Sequence, residues 1–377
     1  MQTCAVPPVH ALPVAGAAAA AVARASWVEI DSGAIRHNLR LIRRLAGAAR
    51  VYAVCKGGGF GVGAALVARL AIEEQIDALA CGDPDDAREV RAAGVNLPIL
   101  LYGTTVAADL PALASLDIIV TAHDAATLDA CLAHDLAFCL KLDTGLHRMG
   151  FGEDDLDIVL DAARTYPQAR LRGLYTHLTD LDTPAAVAAQ ALRFNAMAAR
   201  IEATAWRGRE RMVASSRVLL QWRSLTFDAV NPGRLVYGVL EAPWNREIDC
   251  RPALAAVKAR VIALRHVAAG SDGAGGPRSS RVVAVVPLGF RDGYPREPAG
   301  GTALVHGRRV PIIGMRHGEH CMLDVTSVAG VVLGDEVVFL GVQGDERIDM
   351  HELSAATGVP LIELIPRLAA NPRRILF

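Results

Sequence analysis

Lys56 stands directly after the apolar run Val51-Tyr52-Ala53-Val54-Cys55 and directly before Gly57-Gly58-Gly59-Phe60-Gly61-Val62-Gly63. A lysine at the end of a strand, followed by glycines that let the backbone approach closely, fits an amine held ready to form a Schiff base. It also fits a phosphate contact or a solvated surface residue, and the stretch lacks the Gly-Lys-Ser/Thr ending of a nucleotide-binding loop. Further along, Lys141, Asp143 and Arg148 bring two cations and an acid together, and His177 closes another apolar run. Ser215-Ser216 and Asn231-Pro232-Gly233-Arg234 add hydroxyls, backbone N–H groups and a guanidinium suited to a phosphate. Each has a structural reading as well: Asp143 with Arg148 as an ion pair, His177 as a hydrogen-bonded interior residue, Ser216 as a helix cap.

These residues act together only if the fold converges them. From Trp27 to about Ala242, short runs rich in Val, Ile and Leu alternate with longer segments of helical periodicity, the pattern of a parallel sheet wrapped by helices. Strands are predicted at 50–55, 78–81, 98–102, 117–121, 138–143, 171–177, 212–215 and 227–230. Helices are predicted at 32–46, 84–93 and 184–207, with Asp31, Asp83 and Thr183 as caps. Eight strand–helix units predict an α/β fold, a (β/α)8 TIM-type barrel over residues 27–243, with its site at the strand C-terminal ends. Every candidate residue above falls at such an end. Beyond Pro243, β-type runs at 257–267, 281–286, 302–313, 322–325 and 336–340 predict a C-terminal mostly-β domain over 244–377, with a loop at 270–280.

Composition narrows the classes. Among 377 residues, 39 basic and 40 acidic side chains leave a net charge of -1, and no basic block could track a nucleic-acid backbone. Seven scattered cysteines, without a CxxC pair, argue against a disulfide framework or zinc site and for a reducing, cytoplasmic compartment. No run is long enough to span a membrane. Residues 1–26 end in small residues like those of an export signal. A basic start is missing and Pro7, Pro8 and Pro13 interrupt the stretch, so it reads as a disordered tail.

In order and content, the motifs resemble the alanine racemase family. The likeness runs from Trp27-Val28-Glu29-Ile30-Asp31 through Lys56, then through 141–151, 173–177, 231–238, 287–296, 314–326 and 367–377. It implies a pyridoxal 5'-phosphate enzyme acting on an amino-acid substrate, as a homodimer whose active sites are shared between subunits. By that resemblance Lys56 carries the cofactor and moves a proton at Cα. Lys141, often carbamylated in the family, and Arg148 support the cofactor hydroxyl and the substrate carboxylate. His177 lies against the pyridine ring, and Ser216, Gly233 and Arg234 match the phosphate site. No metal is expected.

Several positions depart from the family pattern. Its second base is a tyrosine supplied by the neighbouring subunit, where this chain has Phe290, followed by Arg291; phenylalanine has no proton to exchange. Asn231 replaces the arginine that faces the pyridine nitrogen. Phe60 and Ala370 replace phosphate-binding tyrosines, and Arg234 is a charge that could restore one contact. His317-Gly318-Glu319 aligns with a substrate-closing loop and leaves a roomier, more polar pocket. These departures favour one-base chemistry at Cα (transamination, retro-aldol cleavage, decarboxylation or elimination) over ordinary alanine racemisation. The alternatives are a racemase or epimerase with a substitute second base and another substrate, and a catalytically silent cofactor-binding protein.

Overall fold

A computed structural model describes residues 24–270, 279–296, 300–369 and 371–377. Most of the predicted tail, most of the 270–280 loop and Ala370 lie outside the described residues.

The first strand, β1 (Ser26–Asp31), is followed by the helix Ser32–Ala46, whose first turn is capped by the Asp31 carboxylate accepting from Ala34 N–H at 2.8 Å. The barrel then forms from β2 (Arg50–Val54), β3 (Ala78–Cys81), β4 (Ile99–Leu101), β5 (Val120–Ala122), β6 (Phe138–Lys141), β7 (Leu171–Tyr175), β8 (Glu210–Ala214) and β9 (Ala229–Val230). Their order is β4-β3-β2-β9-β8-β7-β6-β5, all parallel. Leu101 N–H donating to Ile119 O at 2.8 Å, and Ile119 N–H to Ile99 O at 2.7 Å, close the ring between β4 and β5. The predicted eight-stranded barrel is present. The fifth strand starts later than the apolar pattern implies because Asp117 sits at φ 46°, a left-handed turn that strand pairing cannot include. Asp83 caps the helix Pro84–Ala92 through the N–H groups of Asp85 and Asp86. Thr183 does not cap its helix; its hydroxyl donates to Asp180 instead.

The remaining strands are β10 (Leu254–Arg260), β11 (Ala263–Val267), β12 (Arg281–Val286), β13 (Thr302–Val305), β14 (Arg308–Ile313), β15 (Cys321–Asp324), β16 (Glu336–Gln343), β17 (Glu346–Ile348) and β18 (Arg373–Leu376). They build the C-terminal, mostly-β sheet, joined by the helices Met350–Thr357 and Leu361–Leu368. β1 belongs to this sheet and not to the barrel: it lies antiparallel to β10 and parallel to β18. The predicted run 302–313 is a hairpin, turned at His306 and Gly307 with φ of 50° and 69°. No helix among the described residues is long and apolar enough to cross a membrane.

The two parts meet beside Lys56. Arg373 donates to Gly61 O at 2.9 Å, and a Cβ at Gly61 would lie 2.5 Å from that of Ala369.

Candidate active site

Lys56 follows β2 and opens a turn of unusual hand. Gly57, Gly58, Gly59 and Phe60 have φ of 63°, 61°, 62° and 52°, a left-handed turn that three glycines adopt without the usual Cβ clash. Its open N–H groups are tied down by Asp86, which is buried and accepts from Gly57, Gly58 and Gly82 at 2.9, 2.6 and 3.0 Å. Gly82 is required as well, since a Cβ there would stand 2.7 Å from Lys56 Cβ. Asp86 was hidden in the sequence, where it reads as an ordinary first-turn helix acid.

The amine of Lys56 shares its surroundings with the other candidate cations. Partial burial, then Arg148 and Arg234, lower its pKa. Lys141, at the end of β6, is 4 % exposed; burial and Arg148 bring it down to about 8, against the pull of Asp143. His177, two residues past β7, presents surface to the barrel mouth yet lies deep among protein atoms. Desolvation, then Lys141, Arg148 and Lys56, bring it down to about 4. The structure therefore converges Lys56, Lys141, Arg148, His177 and Arg234 on one end of the barrel.

Asp143 does not pair with Arg148. Its carboxylate accepts from the N–H groups of Gly145, Leu146 and His147 and shapes the loop that carries Arg148. Arg148 is exposed and has no hydrogen bond or ion pair among the described residues.

Three residues missed in the sequence form the floor. Lys141 Nζ lies 4.8 Å from the Tyr175 ring centre. Thr121 gives its proton to Leu101 O at 2.7 Å, so in its 2.9 Å contact with Tyr175 the tyrosine donates. Asn231 donates to Tyr102 Oη at 3.0 Å, which leaves the Tyr102 proton and the Asn231 carbonyl oxygen to face other groups. Tyr102 and Tyr175 end apolar runs, and nothing in periodicity separates them from core aromatics.

Towards β8 and β9, Ser216 is buried and its hydroxyl accepts from Leu235 N–H at 3.2 Å, leaving its own proton to donate. Gly233 N–H is engaged with Asn231 O, and Arg234 pairs with Glu241 at 3.2 Å beside a cavity of about 280 Å³ that Ser216 also lines. The Phe60 ring is buried 4.6 Å from that of Tyr237, with Lys56 Nζ 5.5 Å from its centre.

The pocket residues predicted on the C-terminal domain come together with one another. Phe290 N–H donates to His317 O, Arg291 N–H to Gly318 O, and Arg291 pairs with Glu319 at 2.5 Å. Phe290 is 49 % exposed. No hydrogen bond or ion pair among the described residues joins this patch to the Lys56 cluster. Asp292 anchors it, paired with Arg24 at 2.5 Å, while its backbone carbonyl accepts from Asn371. No group of three or more metal-ligating side chains is found among the described residues.

Comparison with known proteins covers nearly all of the chain. The family model described as alanine racemase, N-terminal domain, matches residues 30–241, and that for the C-terminal domain matches 254–376. An alanine racemase of Thioalkalivibrio sulfidiphilus is 38% identical over 358 residues, 91% of this chain and 96% of that one. One from Sorangium cellulosum is 31% identical, covering 93% and 98%. Among solved structures, an alanine racemase from Bacillus anthracis with bound L-Ala-P superposes with a TM-score of 0.85 at 27% identity, covering 95% and 96%. One from a D-cycloserine-producing Streptomyces lavendulae gives 0.83 at 28%, covering 94% and 97%.

Proposed function

Because the chain belongs to the alanine racemase family, we propose that it is an amino-acid racemase or epimerase in which Lys56 serves one face of Cα and a group other than tyrosine serves the other. The family's cofactor is pyridoxal 5'-phosphate, and the donor set suits it. The two carboxylates nearest the cluster, Asp86 and Asp143, are each satisfied by three backbone N–H groups. What stays open is cationic or hydroxylic, Lys56, Lys141, Arg148 and the Ser216 proton, with Arg234 held by the half-exposed Glu241 until an anion replaces it, a set complementary to a phosphate and a carboxylate.

In this reading Lys56 would hold the cofactor, Ser216 and Arg234 would hold its phosphate, and His177, with Asn231 and its partner Tyr102, would flank its ring; Gly233, whose N–H is engaged with Asn231 O, would leave close room and no free donor there. The chemistry such a cofactor would supply is an electron sink for a carbanion at Cα. The lowered pKa of Lys56 enlarges the neutral fraction of its amine, the form that takes a proton from Cα. Arg148, free of any partner among the described residues, fits the substrate carboxylate in bidentate fashion. Lys141 beside it adds a second cation whose charge is weakened by burial. The Phe290, Arg291, His317, Gly318 and Glu319 patch, which no hydrogen bond or ion pair among the described residues joins to Lys56, completes in this reading the site of a second copy. His317 there offers an imidazole within the same hydrogen-bonded turn as Phe290.

The observation that carries this reading is the convergence of Lys56, Lys141, Arg148 and His177 on one barrel end. Full-length likeness to alanine racemases weighs racemisation above the one-base chemistry expected from sequence. Phe290 keeps that second reading in play, since its ring gives no proton to the opposite face. The cofactor-loaded enzyme, incubated in deuterated water with single enantiomers from an amino-acid panel and resolved by chiral chromatography, tests both. Deuterium in both enantiomers is the expected result; deuterium with retained configuration would establish one-base chemistry instead. Absence of exchange and of any change in cofactor absorbance would leave a silent binder.

A further inference from the structure

A cavity of about 500 Å³ opens at the N-terminal ends of the barrel strands, the end away from Lys56, since Arg50 at the start of β2 lines it and Lys56 follows the finish of that strand. Five arginines face it, Arg50, Arg91, Arg170, Arg172 and Arg209, against two acids, Asp117 and Glu210. Three of the arginines are occupied. Arg91 donates to the carbonyls of Val95, Leu97, Leu116 and Asp117, Arg170 donates to Asp135 O, and Arg50 lies 3.5 Å from Glu210. Glu210 is further engaged by the Tyr52 hydroxyl at 2.8 Å.

Arg172 and Arg209 have no hydrogen bond or ion pair among the described residues. Arg172 lies on β7 and Arg209 directly precedes β8, and both line this cavity. Arg209 Nε is also buried without a partner, a situation that a folded protein resolves with a water or an ion. The volume is in the range of small-molecule sites, roughly 300–1,000 Å³.

We propose that this end of the barrel binds a phosphate group, free or carried by a small ester, held by Arg172 and Arg209 with Arg50 at the rim. The planar guanidinium forks match phosphate oxygens in pairs, and one dianion would neutralise the two unpaired cations together. The site is separate from the catalytic end, and the proposal stands whether or not the enzyme is a racemase.

The test uses the enzyme saturated with pyridoxal 5'-phosphate, so that the cofactor's own phosphate site is filled. Melting midpoints are titrated with inorganic phosphate against chloride at matched ionic strength. The expected result is a saturable rise of about 2–4 °C, lost in Arg172→Gln/Arg209→Gln while the absorbance of bound cofactor is unchanged. In chloride the double variant should still bind cofactor and melt cooperatively, because neither side chain holds a hydrogen bond or ion pair among the described residues. Should it fail to fold, Arg172→Gln alone, titrated calorimetrically with phosphate, should bind at least tenfold more weakly. Glycerol phosphate as a second probe distinguishes the sources: tighter binding than inorganic phosphate assigns an ester, equal or weaker binding the free ion. A non-saturable shift, or an equal shift in the variants, would overturn the proposal.

Discussion

At Phe290 the proposed chemistry turns on a single oxygen atom. The ring is presented on a turn locked to His317 and Gly318, so a hydroxyl added to it is delivered without rebuilding the loop. Phe290→Tyr should raise racemisation of alanine by about 10²–10⁴-fold, the usual worth of a positioned acid or base; no gain would show that the pocket has been redirected to another substrate. Arg234 makes a different prediction. In the proposed site it exchanges Glu241 for the cofactor phosphate, so Arg234→Ala should weaken cofactor retention on dialysis, and unchanged retention would remove it from that proposal. His177 makes a third. Its folded pKa of about 4 lies below the ordinary 6.5, so between these values the unfolded chain binds the extra proton and stability falls as the pH drops. His177→Gln should flatten that fall in melting midpoint, and an unaltered slope would mean the ring is not held neutral. Lys56, Lys141, Arg148 and His177 stand out in the sequence as polar groups at or beyond apolar runs, and their assigned roles come from the family resemblance. Tyr102 and Asp86 are not, because their roles lie in what they face across the barrel, Asn231 for one and three backbone N–H groups for the other.

Among the elements, the left-handed turn after Lys56 shows where glycine is needed for conformation and where for space. A Cβ at Gly58 would meet nothing within 4 Å, so Gly58→Ala should cost only the backbone strain, roughly 1–2 kcal/mol. At Gly61 the same change collides with Ala369, adding an overpacking cost of about 1–3 kcal/mol and pushing the C-terminal segment away from the Lys56 loop. Denaturant melts of the two variants, with cofactor retention as a second readout, should separate them; equal losses would contradict the geometry. The barrel strands can be read from sequence because each is a continuous apolar run between helical segments. The hairpin at His306 and Gly307 cannot, since its turn lacks the usual Asn-Gly or Asp-Gly pair. Nor can the address of β1: an alternating strand beside a helix looks like the start of a barrel, and only long-range pairing places it elsewhere.

For the whole molecule, the prediction is division of labour between two copies. Lys56→Ala and Arg291→Ala/His317→Ala should each be inactive alone. Mixed and refolded together, they should recover about a quarter of wild-type activity, since random pairing makes half the dimers hybrid and each hybrid has one intact site. Activity that stays at the sum of the parents would mean that each chain completes its own site. The barrel's two ends then serve different ends of the chemistry, one gathering cations around an amine and the other, by the proposal above, around a phosphate.

The address of β1 also sets a schedule. Its partners are β10, more than two hundred residues later, and β18, which ends one residue before Phe377. At about 5–20 residues per second, ribosomal synthesis makes β18 on the order of tens of seconds after β1 emerges. Throughout that interval the barrel's own strands can pair with neighbours made close to them in time. Trp27, Val28 and Ile30, buried in the finished protein, have no sheet to enter. The earliest strand among the described residues is thus among the last to be seated, and a chain halted after the barrel would carry it as an uncovered, aggregation-prone edge.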